Sequence, residues 1–241
     1  QTIPKISDSN KGLGMTHITA KVIEASANGS STLWTFQLKY PRFIHSEFMT
    51  HCMLSKSASS SRAIPAAKML SQVWNDPAAP IHWGKNQKGM QAKEQLTGWR
   101  LALGKFLWNT AGKAACCFVY VIDKLGGAKQ WANRLLEPWQ YIHVIATGTE
   151  RVNFFELRDH EDAQPEFREL AIQMKLAMKS TVVPDRTYNT GREVDHWHLP
   201  YVTAEERQSH PVSILAALST ARCARVSYLT HDGKVPSFAA D

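Results

Sequence analysis

The chain has 241 residues, 44% of them hydrophobic and 20% charged, and carries a formal charge of +7 at neutral pH. That apolar content can fill a full core, which excludes a disordered polymer and fits a single domain over residues 1–241 with 1–14 as a loose polar lead-in. The positive charge favours polyanionic ligands, nucleotides and nucleic acid alike, but the cations are scattered rather than gathered into a tail.

In chain order, residues 16–27 alternate well enough for a strand, Asn28-Gly29-Ser30-Ser31 is a turn signal, and residues 32–40 return as the hairpin partner. Helical periodicity follows over 43–54, over 64–74, and over a long stretch from 90 to 124, where Leu96, Trp99, Leu103, Phe106 and Leu107 recur at threes and fours before Gly126-Gly127. A further helix is expected over 127–136, ended by Pro138, then a strand over 139–146 rich in β-branched and aromatic residues. Residues 164–178 carry the last strong stripe, with Phe167, Leu170, Ala171 and Met174 on one helical face. Near the end, Ala224-Arg225-Val226-Ser227-Tyr228 alternates like a plain strand.

Four cysteines, at 52, 116, 117 and 223, make no C-x-x-C pair and read as reduced thiols, which points to a cytoplasmic protein. The longest apolar run falls short of the roughly 20 residues a bilayer needs, and the N-terminus lacks a basic-then-apolar signal pattern, so no membrane association is expected. His196-Trp197-His198 offers two imidazoles on one strand face, but spacing places no third ligand, and we expect a loop rather than a metal site. Gly84-Lys85-Asn86-Gln87-Lys88-Gly89 lacks P-loop spacing and reads as a loop beside an active site. No Gly-x-Gly-x-x-Gly follows a strand, so a Rossmann fold is not indicated.

The most informative stretch is His51 to Arg62, which sets hydroxyls and cations at helix spacing just after an apolar strand. A helix N-terminus or Ser-rich turn offers N–H and O–H donors to phosphate oxygens, and Arg62 adds a planar, permanently charged fork. Alone, it reads as a solvated Ser-rich loop before the helix that starts near Ile64.

The segment resembles the signature of the flavin-dependent thymidylate synthases: Arg-His-Arg, two residues, Ser, x, Asn-Glu, x, Ser, x, Arg-Tyr. His51, Ser55, Ser60 and Arg62 fall on it, whereas Thr50 and Cys52 replace arginines and Ser57, Ala58 and Ala63 replace Asn, Glu and Tyr. The approach from Thr35-Phe36 through Lys39, Pro41 and Phe43 is similar to the family's Thr-Phe-x-x-Lys-x-Pro-x-Phe run. Asn133-Arg134-Leu135-Leu136-Glu137-Pro138 resembles its Ala-Arg-x-x-Leu-Pro. Asn153 to Arg158, leading into Ala163-Gln164-Pro165-Glu166-Phe167-Arg168, resembles Asn-x-x-x-Leu-Arg followed by Ala-Gln-x-Glu-Ile-Arg. Ala221 to Tyr228 is similar to the family's Ala-Ala-Arg-Val-Ser-Phe, which normally precedes the Arg-His-Arg motif, so the chain resembles a divergent, circularly permuted, phage-like member. The family's His-x-Ser-Pro-x-Glu-His segment is not found before Asp241: either the chain is trimmed or that piece is lost.

The resemblance implies an α/β fold with a mostly antiparallel sheet wrapped by helices. It also implies C5 methylation of dUMP to dTMP with FAD, NADPH and methylenetetrahydrofolate, in a homotetramer with shared active sites. By it, Ser60, Arg62, Arg134 and Arg158 hold the nucleotide, with Ser60 and Arg158 in the catalytic role and Arg158 near the pyrimidine. His51, Cys52, Ser55, Thr147, Asn153 and Ser227 line the cofactor. The departures at Thr50, Cys52 and Ala58 leave two alternatives open. One is modification of another pyrimidine, dCMP or hydroxymethylation of dUMP; the other is a non-catalytic descendant that binds nucleotides or nucleic acid.

Overall fold

The computed structural model describes residues 17–89, 93–149, 152–184 and 193–227. Strands β1 (Thr19–Asn28) and β2 (Ser31–Pro41) form the expected hairpin, closed at Gly29 with a φ of 56°, a left-handed value that suits glycine. β2 then pairs with β4 (Tyr141–Gly148), and β4 with β3 (Ser55–Ala58), giving an all-antiparallel sheet in the order β1-β2-β4-β3. One sheet face is apolar because alternate residues point to it: Phe36, Leu38 and Tyr40 of β2 and Ile142, Val144 and Ala146 of β4 are buried there. Helix α6 (Pro165–Lys179) closes that face with Phe167, Leu170, Ala171 and Met174, the stripe read from the sequence. Burying an aromatic such as Phe167 in such a core is worth about 3–5 kcal/mol against alanine.

The helical expectation over 43–54 is corrected. A 3-10 turn at Arg42–Ile44 leads into a short helix α1 (His45–Met49); the chain then turns, and the Ser-rich segment runs as strand β3 rather than at helix spacing. The edge of β4 supplies unpaired backbone groups, and a Ser/Lys segment satisfies them at little apolar cost. Lys56 finishes the arrangement. Its ammonium donates to the carbonyls of Phe48, Met49 and His51 at the end of α1, where the helix dipole favours a cation.

Helix α2 (Ala66–Asn75) follows closely where periodicity placed it. Helix α3 is shorter at its start than expected, Gly98–Lys124, because Gly98 adopts a φ of 57° and Gln95 bridges back to Gly84. The expected helix over 127–136 is mostly a 3-10 segment, Asn133–Trp139, after a single turn of α4 (Lys129–Ala132). Its Asn133 side chain is wholly buried and donates to the carbonyls of Ser61 and Ile64, holding the backbone against the loop after β3. Helix α3 packs against α2 and this segment through Cys116 and Val119, but its opposite face carries Trp99, Leu103, Phe106, Leu107, Phe118, Val121 and Leu125, all exposed, Trp99 at 71% and Leu125 at 82%. No helix among the described residues is long and apolar enough to cross a membrane.

Helix α5 (Val152–Arg158) precedes α6, and a C-terminal group of α7 (Ala204–Ser209) and α8 (Val212–Ala224) covers part of the polar sheet face. The strand expected near the end is corrected: the run is the last turn of α8 and the turn after it, with Tyr228 outside the described residues. The cause is Arg222, fully buried, which donates to the Tyr201 carbonyl and bridges both Glu206 carboxylate oxygens at 2.8 Å, tying α8 to α7. His198 has both ring nitrogens engaged, by Ser26 Oγ at 2.7 Å and Thr35 Oγ1 at 2.8 Å, so it pins this group to the sheet.

The hydrogen bonds from Arg222 hold the Glu206 carboxyl below the usual range. Its contribution to stability is therefore complete above the unfolded carboxyl range and is lost as pH falls through the lower folded value. Melting curves should show Glu206→Gln less stable than the parent at pH 7, with the gap narrowing towards pH 3; a gap that stays constant would remove the pair from the account.

Candidate functional site

Chain reversal after α1 brings the turn 50–54 against α5. Gly148, at the end of β4, permits it: a Cβ there would lie 2.8 Å from Leu54 Cδ2 and 3.1 Å from the Met53 carbonyl. Between the turn and α5 lies a cavity of about 380 Å³ lined by Thr50, His51, Cys52, Asn153, Leu157 and Arg158, among others. Four of the site residues read from the sequence, His51, Cys52, Asn153 and Arg158, thus converge although they come from segments about a hundred positions apart.

Arg158 is the best-held side chain in this cavity. Its Nε donates to His51 Nε2 at 2.8 Å, its Nη1 to Glu47 Oε1 at 2.6 Å, and its guanidinium sits 4.5 Å from the Phe167 ring centre. These contacts leave Nη2 without a hydrogen bond among the described residues. A cationic fork fixed on one side and open on the other can receive a carbonyl or an anionic oxygen. His51 packs edge-on against Phe154, ring centres 5.0 Å apart. Burial first, and then the Arg158 and Lys56 charges, push its imidazole below the ordinary range, so at neutral pH it accepts from Arg158 as the neutral ring with its proton on Nδ1.

Three of the four expected nucleotide residues, Ser60, Arg62 and Arg134, lie at the other end of β3, apart from Arg158, and Ser227, expected along the cofactor, lies with them rather than with His51. Ser60 N–H donates to Ser227 Oγ at 2.8 Å, and Arg62 N–H donates to Ser60 Oγ at 3.3 Å. Arg62 and Arg134 are exposed and make no ion pair among the described residues. Asn133, beside Arg134, grips this same loop. Next to Ser60 a second cavity of about 380 Å³ is lined by Lys39, Lys68, Ser59, Gln72, Tyr141 and His143, among others. At about 3.3 Å per residue, the strand separates Ser55 from Ser60 by roughly 15 Å, so within one chain Arg158 and Ser60 do not share a pocket.

Two residues fall outside both groups. Thr147 points to the polar sheet face, where its hydroxyl meets Thr35 Oγ1 at 2.8 Å, and it does not line the cavity with His51; Ser55 pairs with it across the ladder. The pleat explains this, since Ala146 takes the core side and its neighbour must take the other. Sequence reasoning missed Glu47 and Lys56. Glu47 lies four residues before His51, and a charged partner for Arg158 at that offset was the one signal available.

No family model and no curated protein matches the chain. Solved structures do. It is similar to a crystal structure of the UMP/dUMP methylase PolB from Streptomyces cacaoi bound with 5-Br UMP, at 17% identity over 70% of this chain and 92% of that chain, with a TM-score of 0.56. The same protein bound with 5-Br dUMP gives 17%, 70%, 92% and 0.54. The chain therefore shares that mixed α/β fold.

Removing the Arg158 charge should relieve His51. In a proton NMR titration, His51 is expected to ionise below the usual histidine range in the parent and to move upward in Arg158→Gln; an unmoved midpoint would show that the Arg158 charge does not act on the imidazole.

Proposed function

We propose that the chain is a flavin-dependent enzyme that methylates C5 of a pyrimidine nucleotide, dUMP to dTMP, with methylenetetrahydrofolate as one-carbon donor and NADPH as reductant. The observation that carries this reading is Arg158, anchored to His51 and Glu47 with an unused N–H edge facing a cavity that also holds Asn153. The fold shared with a UMP/dUMP methylase supports it.

The residues present suit a flavin ring edge. The Asn153 amide can donate and accept, the neutral His51 ring is a single-proton partner, and the guanidinium supplies cationic donors. When bound, the flavin supplies hydride transfer, and the protein's part is to bind, orient and exclude water. Arg158 meets a pyrimidine carbonyl or the flavin edge. Ser60 and Arg62, with Arg134, meet phosphate through one hydroxyl and two guanidinium groups, beside lysines 39 and 68. Thr50 and Cys52 offer no cation for the flavin diphosphate, so that charge must be met elsewhere.

Two features support a reading in which the missing partners come from another copy of the chain. The nucleotide and cofactor groups stand at opposite ends of β3, and α3 exposes an apolar stripe along seven large side chains. A helix apolar on both faces is stable when both are covered. An assembly with shared sites, a homotetramer, meets both needs.

Purified protein mixed with FAD should give a flavin spectrum that dUMP perturbs more than dCMP, since O4 and a 4-amino group demand opposite hydrogen-bond partners. Arg158→Ala should weaken dUMP by about 10- to 100-fold, the loss of a charged hydrogen bond; a protein that binds dUMP but never FAD would leave a nucleotide-binding descendant. Sedimentation velocity should show the parent above monomer mass and Phe106→Asp shifted towards monomer, and an unshifted boundary would place the interface elsewhere.

A further inference from the structure

A third cavity, of about 490 Å³, lies between the Gly84–Gly89 loop and the first turn of α6, away from both groups described above. Its lining includes Glu166, Gln164, Asn86, Lys85, Phe43 and Trp108. We propose that it is a cation site, and that the group it takes is a planar guanidinium.

Glu166 is the reason. It is 3% exposed, yet its carboxylate receives only the Ile81 N–H, at 2.9 Å on Oε1, and no cation pairs with it among the described residues. Its place in the first turn of α6 suits a negative charge, but a helix dipole fills no lone pair. A carboxylate has about four acceptor positions, and a charge this deeply buried is costly until a cation reaches it. The second oxygen is not sealed in: among the described residues the only side-chain oxygen both enclosed and unpartnered is Asn133 Oδ1, so Glu166 Oε2 opens on the cavity it lines. Holding Ile81 takes one neutral acceptor, which a glutamine would supply equally. The charge itself therefore serves an occupant.

The walls choose among cations. Trp108 and Phe43 meet edge to face at 6.3 Å, and the Trp108 indole is fixed by its N–H bond to the Ala78 carbonyl at 2.9 Å. A guanidinium is flat, weakly hydrated and stacks on aromatic rings, and its parallel N–H groups match both oxygens of a carboxylate at once. An ammonium is a compact, strongly hydrated charge and loses more on leaving water. The side-chain oxygens of Asn86 and Gln164 can accept the N–H donors that remain. Lys85, whose charge would otherwise oppose a cation, is held to Glu94 at 2.8 Å. The loop is preformed: Lys85 N–H donates to the Glu94 carbonyl and Leu96 N–H to the Trp83 carbonyl, both at 2.8 Å. Such a group has two sources, a small molecule and an arginine side chain of another copy of the chain, and both present the same fork to Glu166.

The test is an NMR titration of the whole chain, reading the Trp108 indole N–H, with N-ethylguanidinium chloride and, as the matched control, ethylammonium chloride. The guanidinium should bind several-fold more tightly than the ammonium. Glu166→Gln, which keeps an acceptor for Ile81, should weaken it by about tenfold or more. Asn86→Asp, on the exposed loop, should tighten it several-fold, a gain that damage to the fold cannot produce. Sedimentation velocity at the concentration that saturates Trp108 separates the sources: a shift to lower mass assigns the site to an arginine of another copy, and an unchanged mass assigns it to a small molecule. No perturbation of Trp108, equal binding of the ammonium, or an affinity indifferent to either substitution would overturn the assignment.

Discussion

The structure depends on β4 being paired on both edges. One edge holds β2 and, through its apolar alternation, fixes the core under α6; the other holds the Ser-rich strand and so carries the His51 turn at one end and the Ser60 loop at the other. The register settles which residues can act together. A slip of one residue would turn Ser55, Ser57 and Ser59 into the core and Ala58 out of it, and both cavities beside the strand would be lost. Gly148 ends β4 where the turn must come closest, so the same strand that orders the sheet also sets the shape of the cavity.

Much of this was legible from residue pattern. The hairpin, α2 and α6 follow from alternation and helical stripes, because their apolar faces meet a core in the way the pattern assumes. The Arg158, Asn153 and His51 grouping was legible from a spaced signature, and the structure does bring them into one cavity. What was not legible had tertiary causes. The Ser-rich segment looks helical or loose alone, and only an available sheet edge makes it a strand. The C-terminal run alternates like a strand, but one buried arginine bridged to Glu206 holds it in a helix. Thr147 sits beside the right residues in sequence, and the pleat turns it away.

Charge is placed unevenly around these sites. Arg158 is balanced by Glu47 and shares a proton network with a neutral histidine, so the cavity beside it is structured and weakly charged. At the Ser60 end Arg62 and Arg134 make no ion pair among the described residues, while Glu137 accepts from Ser61 and pairs with Arg42. The two ends of β3 thus differ in how their arginines are balanced: Arg158 is paired with Glu47, and Arg62 and Arg134 are not paired among the described residues.

The bond from Ser60 to Ser227 spans 167 positions of sequence. Contacts of that separation form late, since the loop they close must first lose its conformational freedom. The sheet and its core can assemble from residues before Lys179, whereas the Ser60 loop acquires its hydroxyl acceptor only after α8 has docked. During synthesis on a ribosome, the Ser60 end is therefore the last part of the molecule to take its final form, well after the cavity that holds Arg158.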